Sequence, residues 1–77
     1  MHEDWTGDLA DDCRLIRYGM EAHVECLNRG IWWFAIYDAR NQLFNLADSE
    51  HAVSLTTGKM ARAAAECCLE ILRRSKQ

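Results

Sequence analysis

Glu21, His23 and Glu25 alternate along one stretch of the chain, and residues two apart in an extended segment share a side. An imidazole with two carboxylates is a donor set that a divalent metal accepts. A strand spreads the three over about 13 Å, and no fourth ligand stands at a matching spacing, so they read as a solvated polar face with no metal expected. Cys13, Cys26, Cys67 and Cys68 bring thiol chemistry. Cys67 and Cys68 are adjacent, which on a helix points them about 100° apart, and no C-x-x-C pair occurs, so a zinc centre is not expected. Three of the four fall at apolar-pattern positions, where a buried free thiol fits better than a disulfide framework. Cys26 with His23 or His51 would be the elements of a nucleophile and its base, but a regular strand sends Cys26 and His23 to opposite sides. Thr57-Gly58-Lys59 lacks the longer glycine-rich run that a phosphate loop needs and reads as a capping turn. No catalytic residue and no cofactor are therefore expected. A metal-binding or enzymatic domain using Glu21, His23 and Glu25 stays as an alternative reading.

These residues must be positioned by a small scaffold. Residues 1–77 are expected to form one domain, and at that size folding buries only about 60–65 % of the unfolded chain's surface. With 49 % hydrophobic and 27 % charged residues the composition is that of a globular chain rather than a disordered one. A net charge of −3 argues against nucleic acid as a direct partner, because displacing phosphate counterions takes a basic surface. Acidic residues crowd residues 1–12, whereas Arg62, Arg73, Arg74 and Lys76 gather near the end. No apolar run reaches about 18 residues, and Met1 to Trp5 lacks the basic-then-apolar pattern of a secretory signal, so no membrane association and a cytoplasmic location are expected.

The pattern of apolar residues divides the chain into an acidic N-terminal segment (1–12), an antiparallel sheet (13–48) and a C-terminal helix (56–75). In the last of these, Met60, Ala64, Cys67, Cys68, Ile71 and Leu72 mark one helical stripe, with Arg62, Glu66, Glu70, Arg73 and Arg74 on the solvent side. Thr56 or Thr57 can cap its start, and the small residues between Ala61 and Ala65 allow close approach to a sheet. Asn28-Arg29-Gly30 and Ala39-Arg40-Asn41 each suggest a type I turn closed by a left-handed Gly or Asn. Register then follows: Cys26 faces Trp32, Val24 faces Phe34, Ala22 faces Ile36, Ile36 faces Phe44 and Phe34 faces Leu46. Strands over about 20–27, 31–38 and 42–48 result, with 13–18 readable as a fourth strand or as helix. The expected fold is α+β, a three- or four-stranded antiparallel meander with one amphipathic helix packed on one face.

Ile31 through Tyr37 is apolar at every position, so that strand needs cover on both sides, and a single helix supplies one. The register puts Glu21, His23, Glu25, Leu27, Ile31, Trp33, Ala35, Tyr37, Leu43, Asn45 and Ala47 on the other face. Trp and Tyr are the side chains most enriched at interface hot spots. The N-terminal segment with Trp5, Leu9, Leu15 and Ile16 could fold back over this face, two copies could pair through it as a homodimer, or a separate protein could dock there. The favoured expectation is a non-enzymatic protein-binding module, a small acidic adaptor or inhibitor, that uses Trp33, Tyr37, Glu21, His23, Glu25, Ile31 and Leu43 against a partner with a basic surface. A homodimeric structural domain is the alternative.

Across residues 20–75 the order strand, strand, strand, helix, together with the acidic character and small size, resembles HicB-type antitoxin domains and small phage-encoded inhibitors such as anti-CRISPR proteins. That resemblance implies an inhibitor acting through protein contact, and it assigns no functional residue.

Overall fold

A computed structural model describes residues 4–49 and 55–75, with the side chains of Gln42 and Leu43 outside that description. Five antiparallel strands, β1 (Thr6–Asp8), β2 (Asp12–Arg17), β3 (Met20–Asn28), β4 (Ile31–Asp38) and β5 (Asn41–Asp48), pair in sequence order as one meander. The helix α1 (Gly58–Ser75) follows and packs against β3 and β4. The fold is thus α+β as the sequence suggests, with five strands in place of three or four.

The segment expected over 13–18 is strand rather than helix, over Asp12–Arg17, because Tyr18 and Gly19 form a turn. Both residues adopt a left-handed backbone, with φ of 58° and 74°, as a two-residue hairpin between right-twisted strands requires, and Arg17 pairs with Met20. β1 carries no apolar signal, since all three of its residues are exposed. Its turn is instead held by polar contacts: Asp8 Oδ1 accepts from the Ala10 N–H at 2.9 Å, and Asp8 O accepts from the Asp11 N–H at 3.0 Å.

The first expected turn forms with Gly30 left-handed at φ 76°, and Cys26, Val24 and Ala22 pair with Trp32, Phe34 and Ile36 as the sequence indicates. The second does not. Asn41 is not left-handed; Asp38 pairs directly with Asn41, and Asp38 Oδ1 accepts from the Arg40 N–H at 2.8 Å. Register then slips at Tyr37 and Ile36, so that Tyr37 faces Asn45 and Ile36 faces Ala47 rather than Phe44. An unprimed turn splays its strands, and bulges restore pairing farther along. Phe44 is consequently 60 % exposed, while Leu46 and Ala47 both touch the core.

The core lies between the sheet and α1. Cys13, Leu15, Met20, Ala22, Val24, Phe34 and Ile36 meet Ala61, Ala65 and Leu69, and Trp5 joins them from the N-terminal side. The buried line of the helix is therefore Gly58, Ala61, Arg62, Ala65 and Leu69. Of the expected stripe, Ala64, Cys68 and Leu72 pack half-buried against the core, whereas Met60, Cys67 and Ile71 are exposed, and Arg62, expected in solvent, is only 8 % exposed. Small residues explain the rotation: Ala61 and Ala65 let the helix axis approach the sheet, where the longer Met60 and Ile71 would hold it off. Arg62 is accommodated by donating from Nη1 to Leu9 O at 2.9 Å, with its Nε unpartnered among the described residues.

Candidate functional site

The sheet face away from α1 is built from strand alternation. Its rungs run across the strands. Asp8, Asp12, Glu25 and Trp33 form one; Thr6, Arg14, His23, Ala35 and Asp48 form the next; Ile16, Glu21, Tyr37 and Asn45 form a third. Along β4 the outward residues are Ile31, Trp33, Ala35 and Tyr37, an apolar ridge about 20 Å long. Ile31 is 53 % exposed and Ile16 67 %, whereas Trp33 and Tyr37 are half-buried. Ala35 is fully buried, flanked on its own strand by the Trp33 and Tyr37 rings.

Polar groups on this face are arranged around that ridge. His23 Nε2 lies 2.5 Å from Asp12 Oδ1, and its ring meets Trp33 edge-on, centroids 6.4 Å apart and planes at 82°. Arg14 stands 4.0 Å from Glu21, which is itself buried. Asn45 Nδ2 donates to Asp48 Oδ2 at 3.0 Å. Among the described residues, five carboxylates (Asp8, Asp12, Glu21, Glu25 and Asp48) thus share the face with one guanidinium, Arg14. The helix has the opposite balance, with Lys59, Arg62, Arg73 and Arg74 against Glu66 and Glu70.

Of the expected docking residues, Glu21, His23, Glu25, Ile31, Trp33 and Tyr37 come together here; the Leu43 side chain lies outside the described residues. Asp8, Asp12, Arg14 and Ile16 complete the face and were missed, because β1 and β2 could not be placed beside β3 while residues 8–18 were ambiguous. The Tyr18-Gly19 pair between two alternating stretches was the available signal. Of the described residues that one reading folded back over this face, Ile16 lies on it within β2, whereas Trp5, Leu9 and Leu15 pack into or against the core on the helix side. Trp5 packs into the core beneath α1 and donates from Nε1 to Glu66 Oε2 at 3.0 Å, and Arg17 bridges Asp4 and Glu66 at 2.9 and 3.4 Å.

The other chemical candidates disperse. Among the described residues no three His, Cys, Asp or Glu side chains are gathered so as to hold a metal ion. Cys26 donates to Asn28 O at 3.1 Å, while His23 occupies the opposite face; His51 lies outside the described residues. All four thiols are free, and burial pushes those of Cys13 and Cys68 up, the Arg62 guanidinium partly offsetting this at Cys13. Thr57 caps α1 by accepting from the Met60 N–H at 3.1 Å, so Thr57-Gly58-Lys59 is a capping turn. No cleft of ligand size opens among the described residues, and none of their helices is long and apolar enough to cross a membrane.

No family model, curated protein or solved structure matches this chain.

Proposed function

We propose that this chain is a non-enzymatic protein-binding module, an acidic adaptor or inhibitor that docks a macromolecular partner on the outer face of its sheet. The supporting observation is the ridge of Ile31, Trp33 and Tyr37. Two half-buried aromatic side chains lie beside the exposed Ile31 on the face away from α1, while the N-terminal Trp5 is packed on the opposite side. Rigid aromatics with a polar rim are the composition of an interface centre.

The test compares capture of a partner from the native host by the wild-type chain, Trp33→Ser and the helix-face control Ile71→Ser. The proposal expects the captured protein to disappear with Trp33→Ser and to persist with Ile71→Ser. Unfolding of purified Trp33→Ser must show a loss well short of the 3–5 kcal/mol or so that truncating a core Trp costs. Capture unaffected by Trp33→Ser, or a core-sized loss of stability, defeats the reading. Light scattering completes it: a stable dimer at micromolar concentration that Trp33→Ser dissociates would make the face a homodimer contact instead.

A further inference from the structure

The rung Asp8, Asp12, Glu25, Trp33 sets three carboxylates side by side on adjacent strands and ends them at an indole. Like charges directly opposite in a sheet oppose folding. Asp12 has His23 within hydrogen-bond reach and Asp8 binds its own turn. Glu25 is half-buried and forms no ion pair among the described residues. It lies directly between Asp12 and Trp33.

The helix side of the molecule already contains the arrangement that such a rung fits. There the Arg73 guanidinium lies 5.0 Å from the Tyr18 ring centroid while its Nε donates to Glu70 Oε2 at 3.0 Å. An aromatic face and a carboxylate together hold a cation through its planar charge and its donors at once. Glu25 and Trp33 provide those same two halves on the outer face, with Asp12 alongside. The surrounding charge agrees, five carboxylates to one guanidinium among the described residues.

Resting on the docking function above, we propose that the partner is a basic polypeptide segment that seats an arginine against Trp33 and the Glu25–Asp12 pair. Arginine suits the site better than lysine because its flat guanidinium stacks on the indole while still donating in a fork to the carboxylates. The Ile31 to Tyr37 ridge then receives the apolar residues around that arginine.

The probe is a capped octapeptide of alternating arginine and glycine, titrated into the ¹⁵N-labelled chain, with the isosteric neutral citrulline peptide beside it. The expected shifts centre on the Trp33 indole and the Asp12 and Glu25 amides. Affinity falls by about fivefold or more with citrulline and with Glu25→Gln, the loss expected for one charge-assisted contact. Glu25→Gln also melts no lower than the wild type, since it relieves the repulsion from Asp12. Shifts centred on Glu66 and Glu70, equal binding of the citrulline peptide, or unchanged affinity in Glu25→Gln overturns the proposal. If that happens while Trp33→Ser still loses the native partner, docking stands and only the basic partner falls. If Trp33→Ser also keeps that partner, both fall.

Discussion

Leu69→Ala and Ile71→Ala test how α1 sits on the sheet, because two residues of similar size on one helix are assigned opposite environments. Leu69 is fully buried, whereas Ile71 is 57 % exposed. Removing a buried Leu side chain forfeits its transfer free energy and leaves a cavity, together about 2–5 kcal/mol. A domain of this length holds only about 4–12 kcal/mol in all. Leu69→Ala should therefore lower the melting temperature by roughly 8–40 °C at about 4–8 °C per kcal/mol, or leave the chain largely unfolded at room temperature. Ile71→Ala gives up a side chain that is less than half buried and gains about 0.4 kcal/mol in helix propensity, so its net effect stays within about 0.5 kcal/mol. Urea unfolding followed by far-ultraviolet circular dichroism measures both. Equal losses in the two variants would mean that the helix presents the Met60–Ile71 stripe to the sheet after all, and the rotation attributed to Ala61 and Ala65 would be refuted.

Two further outcomes follow from single contacts. A Cβ at Gly58 would stand 2.9 Å from Trp32 Cη2, 3.0 Å from Arg62 Nη1 and 3.1 Å from Leu9 O. Gly58→Ala should therefore destabilise by about 1–2 kcal/mol in the same urea assay, although helix propensity alone favours Ala; a net gain would show that the Trp32 ring yields. At the other end of α1, the Tyr18 hydroxyl, donating to Glu70 Oε1 at 2.7 Å, and then Arg73 hold the Glu70 carboxyl below the usual carboxylate range. Because the folded value lies below the unfolded one, this contribution to stability is present above the unfolded carboxylate range and is lost as pH falls through the folded value. Tyr18→Phe should move the Glu70 titration, followed by carboxyl-carbon NMR, upward, and an identical curve in the two proteins would remove Tyr18 as the cause.

The β3–β4 pairing was legible because Gly30 fixes its turn and the alternation on both strands agrees with it; Cys26, Val24 and Ala22 fall opposite Trp32, Phe34 and Ile36. The β4–β5 pairing failed where the turn residue failed. Asn41 tolerates a left-handed backbone without requiring one, and once the turn closes between Asp38 and Asn41 two bulges carry the register away from Phe44. The helix was legible as an element and only partly in rotation: Ala64, Cys68 and Leu72 do touch the core, but Met60, Cys67 and Ile71 and the line through Ala61, Ala65 and Leu69 are both apolar. Shape, not hydropathy, decides between two such stripes, and the slim one allows the closer contact. β1 was invisible because its exposed residues carry no period at all. The outer face was legible along β3 and β4, whose register was right, and illegible along β1 and β2, which supply Asp8, Asp12, Arg14 and Ile16.

The core cluster has recruited even Trp5 and lies on the helix side, with Arg62 buried there as well. Stability alone would place opposite charges across neighbouring strands, as at Arg14 and Glu21, and would keep large apolar groups off the solvated side. The rung from Asp8 to Glu25 does the reverse, and it does so next to Trp33. In a domain with only a few kcal/mol to spare, residues that oppose folding are retained where another requirement acts on them. In the proposed docking, contact with a basic partner would relieve the repulsion along the rung and cover the aromatic ridge in a single step, which would account for charge and apolar surface being concentrated on the same strands.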